Sequence, residues 1–304
     1  MTARRRSDVE TGMLLMAVAM LALPCIDAIA KSMAGRVPSA EIALARFVMQ
    51  TAILLPFAIG RGMAASGRVL AAHVMRGALI AAATLLFFTA LQYLPLADAI
   101  AIFFVEPLLL TLLSPFFLGE KVGWRRLTAV AAGFAGAMMI IRPSFEEAGW
   151  PALLPLAAAL CFAFYLVLTR RLARTGDPVV MQAHAGIFGG LTAGLALAAG
   201  AMTGAFPDVL VPVLPDLTDL LLLTVLGIIA TGGHMLVVHA FKRADAGLLA
   251  PFQYLEIISA TALGLLIFGD FPDPLTWAGI AVIVGSGLYV FHRERVAQTL
   301  SSTP

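Results

Sequence analysis

Residues 94–120 read LPLADAIAIFFVEPLLLTLLSPFFLGE, and residues 244–270 read ADAGLLAPFQYLEIISATALGLLIFGD. Each is a long apolar run with one acid near its middle, Glu106 and Glu256, at an offset of 150. The same offset lays Phe117-Leu118-Gly119-Glu120 over Ile267-Phe268-Gly269-Asp270. Ala97-Asp98-Ala99 also recurs as Ala244-Asp245-Ala246, at an offset of 147. A bilayer core needs ~20 apolar residues per helix, and an outer-membrane strand would instead alternate over ~10 residues. Both runs therefore read as membrane-spanning helices, and their likeness reads as an internal repeat.

Working outward, ten such stretches emerge: Thr11–Ala34, Pro38–Gly60, Ala71–Tyr93, Leu96–Leu118, Leu127–Ile141, Trp150–Thr169, Pro178–Met202, Leu217–Phe241, Ala246–Phe268 and Leu275–Phe291. The fifth is short and can extend back to Trp124. In 304 residues, 61% are hydrophobic and only 12% charged, with a mean hydropathy of +0.95. A soluble domain carries about 25% charged residues, so a soluble globule and a disordered chain are both excluded. The net charge of +2 leaves no footprint for nucleic acid. Three arginines before the first run resemble a signal peptide. That run is too long for one, and it completes the count as helix one.

Lys and Arg mark the connections on one side: Arg4 to Arg6, Arg61, Arg68, Lys121, Arg125, Arg126, Arg170, Arg171, Arg174, Lys242, Arg243, Arg293 and Arg295. The other side holds only Arg36 and Arg142, beside acids such as Glu146, Asp208, Asp216 and Asp273. The positive-inside rule puts the first side, and both termini, in the cytoplasm. Five spans per half is an odd number, so the second half enters from the opposite face. The expected fold is an all-α polytopic membrane protein of ten transmembrane helices, in two inverted five-helix repeats at residues 1–145 and 146–304. Inverted repeats recur in secondary transporters, with the substrate near the midplane. Cys25 and Cys161 both fall inside spans and imply no disulfide framework.

Ionisable groups at membrane depth are costly unless paired or wetted, so each is a functional candidate. Glu106 precedes Pro107, which should kink its helix. Glu256 shares a helical face with Gln253 and with Asp245, the last placed as an N-cap. Asp27 and Arg46 each lie ~12 Å inside the same face at 1.5 Å per residue, on antiparallel spans that could pair. Lys31 is one turn from Asp27. These three form a charge cluster, read as structural or as a gate, with Pro24 as a hinge beside Pro107 and Pro251. Gln92, Tyr254, His234, Phe88 and Phe103 are further wall candidates, since aromatic faces attract cations. Gln50, Tyr93, Tyr165 and His184 are polar residues with ordinary packing as the default. Gly190 and Gly194 form a GxxxG pair that suggests close helix contact, within the fold or between subunits. His234 and His239 are five apart and make no metal pair. There is no phosphate-binding GxxxxGK[ST] loop, no HExxH and no GxSxG.

Asp27-Ala-Ile-Ala-Lys31, Glu41-Ile-Ala-Leu-Ala-Arg46-Phe47, Glu106-Pro107 through Gly119-Glu120, and Tyr254-Leu255-Glu256 through Gly269-Asp270 together resemble the drug/metabolite transporter superfamily, EamA type, over nearly the whole chain. Ala250-Pro251-Phe-Gln-Tyr-Leu-Glu256 and Phe271-Pro272-Asp273 look like its S-adenosylmethionine uptake branch, and the architecture looks like its amino-acid exporter branch. The resemblance implies a central cavity lined by spans three, four, eight and nine. The resulting expectation is a secondary transporter without enzyme activity, cofactor or metal, in a bacterial inner (cytoplasmic) membrane. Its substrate is a small amino-bearing metabolite, with amino-acid export first. Uptake of S-adenosylmethionine and export of cationic drugs are the alternatives, ahead of an intramembrane enzyme or a passive channel. Glu106 and Glu256 would meet an ammonium or sulfonium, and Arg46 or Lys31 a carboxylate. Expected partners are the substrate and the lipid bilayer, not nucleic acid. Proton coupling and a monomer or homodimer are both left open.

Overall fold

A computed structural model describes residues 3–117, 123–172, 176–244, 249 and 252–301. Those residues are helical with short connections and hold no strand. In chain order the helices are α1 (Ala3–Ser32), α2 (Ser39–Ile59), α3 (Gly67–Ala90), α4 (Leu96–Phe103), α5 (Glu106–Phe117) and α6 (Trp124–Ala148). Then come α7 (Leu154–Leu172), α8 (Pro178–Thr203), the single turn α9 (Pro207–Leu210), α10 (Leu217–Phe241), α11 (Leu255–Leu263) and α12 (Pro274–Ser301). A 3₁₀ turn, Trp150–Leu153, leads into α7, and a π turn, Gly264–Phe268, extends α11.

Among the described residues, eight helical segments are long and apolar enough to cross a membrane; Leu255–Phe268 and Pro274–Tyr289 are shorter apolar helices. The fourth expected span holds two helices rather than one bent helix: α4 stops at Phe103 and α5 starts at Glu106. Pro107 has no N–H to give the Phe103 carbonyl, so the ladder breaks there. Apolar runs also understate helix length. The fifth stretch, expected over Leu127–Ile141, is a 25-residue helix, and the tenth continues to Ser301. Apolarity stops at the first charged side chain, whereas backbone hydrogen bonding continues past it. Asp245, Pro251, Leu118, Gly119, Glu120 and Lys121 lie outside the described residues, so the Asp245 cap and the Pro251 hinge do too.

Helix starts follow local chemistry. Asp177 accepts from the Val179 and Val180 amides and begins α8, Asp216 accepts from Asp219 N to begin α10, and Asp273 caps α12 through Leu275 and Thr276. Gly204 and Gly269 end their helices in left-handed conformation, at φ 66° and 73°.

Lipid tails are as apolar as leucine, so helices in a bilayer are joined by close packing of small residues rather than by expelling water. A Cβ on Gly136 would lie 2.9 Å from the Gly279 carbonyl, which brings α6 and α12 into backbone contact. Similarly, α8 meets α2 where Gly186 and Gly189 face Thr51 and Phe47. Gly190 and Gly194, the expected pair, make only ordinary contacts with α2, so the close approach lies one turn earlier and within the fold. Further packing joins α1 to α10 and α11, α2 to α10, α3 to α7 and α8, α5 to α7, and α4 to α11. Trp124, Trp150 and Trp277 all sit exposed near helix starts, as interfacial anchors do.

Candidate functional site

The break before Pro107 puts Glu106 at the first residue of α5. Glu256 lies in the first turn of α11, and α11 packs on α4 and α1. This brings together acids from three helices: Glu256 feels the charges of both Asp27 on α1 and Glu106. Arg46 on α2 is the counter-charge for Asp27 and also acts on His234 of α10. Asp27, Glu106, His234 and Glu256 are all half-buried inside the bundle, not sealed. Arg46 is 7% exposed; its Nη1 donates to Thr84 Oγ1, its guanidinium lies 5.0 Å from the Phe47 ring centre, and its Nε has no partner. Asp27 and Arg46 therefore attract one another without a direct ion pair. The His234 Nδ1 is tied back to the Ala230 carbonyl at 2.7 Å.

Phe103 stands in an aromatic row, edge-on to Phe87 at 5.3 Å and beside Phe162 at 5.5 Å, with Tyr165 next in line at 5.4 Å from Phe162. Phe87 joins this row, and both it and Phe88 are buried in the core. Tyr254 stacks on Phe104 at 5.5 Å, and its hydroxyl sits where a Cβ on Gly287 would stand. Gln253 is half-buried in the turn before α11. Pro24 is buried inside α1.

Residues 10–142 and 149–291 each match the EamA-like transporter family. The chain belongs to the EamA-like transporter family. It is thus a multi-pass membrane protein with a transporter's function. The chain is similar to an S-adenosylmethionine uptake transporter of Rickettsia bellii, 28% identical with 90% of each chain covered. A riboflavin transporter of Brucella anthropi is 30% identical, over 85% of this chain and 89% of the relative. The pseudopaline exporter CntI of Pseudomonas aeruginosa is 27% identical, over 90% and 94%. A solved crystal structure matches with a TM-score of 0.62 and 24% identity, covering 93% of this chain and 97% of that one, which speaks for the fold alone.

Two expected site members of this transporter sit elsewhere. Lys31 is not with Asp27: its Nζ donates to the Leu94 carbonyl at 2.5 Å, lies 3.6 Å from Asp270 and stands over the Phe268 ring at 5.3 Å. The long side chain carries its charge toward the helix end, away from the apolar middle. The expected Asp27–Lys31–Arg46 cluster is therefore split in two. Gln92 donates to Ser39 Oγ at 2.9 Å and to the Asp208 carbonyl at 3.0 Å, tying the α3–α4 turn to α9. Asp98 is buried near Lys31, with one oxygen unpartnered, and makes no helix cap. A mostly apolar groove between α6 and α12, lined by Thr128, Ala132, Gly285, Ser286 and Tyr289, holds no charged side chain among the described residues.

Arg76 is the residue that the sequence reading passes over. It is 1% exposed, the largest side chain so deeply buried among the described residues. It sits inside the third apolar stretch, and a charge at membrane depth is itself the signal that could have found it.

Proposed function

We propose that this chain is a secondary transporter moving a small amino-bearing zwitterion across a bacterial inner membrane by alternating access. S-adenosylmethionine is the first candidate substrate, amino acids the second and cationic drugs the third. The observation that carries this reading is the half-buried charge arrangement: Glu106, Glu256 and Asp27 from three helices, with Arg46 alongside. Acids on one side suit an ammonium or sulfonium, and a guanidinium on the other suits a carboxylate. The Phe87–Phe103–Phe162 row supplies faces for a cation or a flat ring. Amino-acid export leads from the sequence alone; the S-adenosylmethionine transporter among the similar proteins, itself named for uptake, moves that substrate ahead.

Two inverted five-helix halves, at 1–145 and 146–304, make ten helices with both termini inside. In support, α1 packs on α10 as α7 packs on α3, α2 on α10 as α8 on α3, and α1 on α11 as α7 on α5. Each relation maps onto the other when a helix is exchanged for its counterpart five spans away. Glu106, Glu256, Phe103, Tyr254, Gln253 and His234 are the proposed substrate contacts, and Pro24, Pro107 and Pro251 the hinges. A carboxyl such as Glu106 could carry the coupling proton, and the transporter works as a monomer or a homodimer.

The test is saturable uptake into proteoliposomes with labelled S-adenosylmethionine, a labelled amino-acid pool and labelled riboflavin. Uptake of S-adenosylmethionine supports the first candidate. Uptake of amino acids alone promotes the second. Riboflavin alone would overturn the zwitterion reading.

A further inference from the structure

Arg76 is a buried cation held only by neutral groups. Its Nε donates to Thr169 Oγ1 at 2.9 Å, Nη1 to the Met181 carbonyl at 3.2 Å and Nη2 to the Tyr165 hydroxyl at 3.3 Å. The guanidinium also lies 4.9 Å from the Tyr165 ring centre. No Asp or Glu forms an ion pair with it among the described residues. Buried charges are ordinarily paired, because a desolvated ion without a counter-ion is costly. One turn earlier on α3, His73 is 5% exposed and its Nδ1 has no partner; its ring stacks on His184 at 4.2 Å. The niche between α3, α7 and α8 therefore carries an uncompensated positive charge and an unused polar atom.

Its position ties it to the charged centre. Tyr165 stands between the two buried arginines: it accepts from Arg76, and its hydroxyl is within electrostatic reach of Arg46. Tyr165 is also the end of the aromatic row that starts at Phe87. Arg46 has Asp27 to balance it, whereas Arg76 has no acid. The repeat does not require this charge. The offset of 150 puts buried Leu226 where Arg76 stands and buried Leu223 where His73 stands.

We propose that Arg76, held by Tyr165 and flanked by His73, is the carboxylate-recognising residue of the transport path. It meets the substrate's acid group at a point of the path eight residues, ~12 Å along α3, from Thr84 where Arg46 binds, in sequence with Glu106, Glu256 and Asp27, which receive the amino or sulfonium end. This rests on the zwitterion reading above and moves the carboxylate contact from Arg46, which Asp27 balances, to Arg76. The two outer N–H bonds of Arg76, at 3.2 and 3.3 Å, are longer than the 2.7–2.9 Å usual for guanidinium and carboxylate. A carboxylate arriving at the Tyr165 edge would thus gain two shorter, charge-assisted bonds from a planar fork already in place.

The test is ligand binding to the purified full chain, by thermal shift and competition. Each zwitterion is compared with its amine: S-adenosylmethionine with decarboxylated S-adenosylmethionine, and L-phenylalanine with phenethylamine. The acid-only probe is 3-phenylpropionate. The wild type should prefer the zwitterion at least tenfold. Arg76→Leu, which places the counterpart's own residue there, should reduce that acid-to-amine ratio to within twofold of unity. Arg76→Lys keeps a charge but loses the fork, and should give an intermediate ratio whether or not the leucine variant folds. Equal loss for zwitterion and amine, or a wild-type ratio in Arg76→Lys, overturns the proposal. If the wild type binds neither zwitterion nor amine, the zwitterion reading fails; Arg76-dependent stabilisation by 3-phenylpropionate then sustains the anion site alone, and its absence overturns both.

Discussion

Glu256 is the acid that feels two others, Asp27 on α1 and Glu106 at the head of α5. Replacing it with glutamine keeps its size but deletes the charge. Glu256→Gln should lower transport at least tenfold while the protein still inserts; wild-type uptake in proteoliposomes would remove Glu256 from the site. Asp177 shows what an acid does outside the spans. Burial alone would raise its pKa, but the Val180 and Val179 amides and Arg61, 3.6 Å away, outweigh that and hold it below the usual carboxylate value. A lowered folded-state pKa stabilises above the unfolded value, roughly pH 4, and that gain is lost as pH falls through the folded value. Asp177→Ala should therefore cost about 1 kcal/mol at neutral pH, as lost helix caps do. The Tm gap between the two proteins should close in acid, and a gap that stays constant with pH would mean the carboxylate charge adds nothing to the cap.

Helices meet here through glycine, and position decides what each glycine does. Gly136 and Gly279 bring α6 and α12 into backbone contact, where an added Cβ would press on a carbonyl. Gly285, on the same helix as Gly279, has open space around it. Gly136→Leu should cost about 1–3 kcal/mol or more from overpacking. Gly285→Ala should instead gain roughly 0.5–1 kcal/mol by removing backbone freedom from the unfolded chain. Thermal melts of the two variants in detergent check both signs. The α4–α5 break belongs to the same scale. Pro107 was legible as a point where the ladder fails, but its depth in the bundle, and the company of Glu256, come from packing with α11.

At the scale of the molecule, the end opposite the N-terminus is tied by contacts between distant parts of the chain: Lys31 to Asp270, Arg36 to Asp219 at 3.1 Å, and Glu41 to the Val213 amide at 3.0 Å. If Lys31–Asp270 latches that end, Asp270→Asn should speed labelling of Cys25 by an impermeant thiol reagent at least threefold in a Cys161→Ser background. Cys25 lies six residues, ~9 Å, before Lys31 on α1. Unchanged labelling would leave Lys31 a structural tie. The sequence by itself determined that the chain is a bundle of apolar helices, where most of them run, that Glu106 and Glu256 sit mid-run at matching positions, and where Pro107 interrupts a helix. These follow from local composition and from backbone hydrogen bonding, which reach only a few residues along the chain. Only the tertiary structure decided which charges meet. It parted Lys31 from Asp27, drew Gln92 out to α9, and set buried Arg76 beside Tyr165, because those neighbours come from helices far apart in sequence and are chosen by packing.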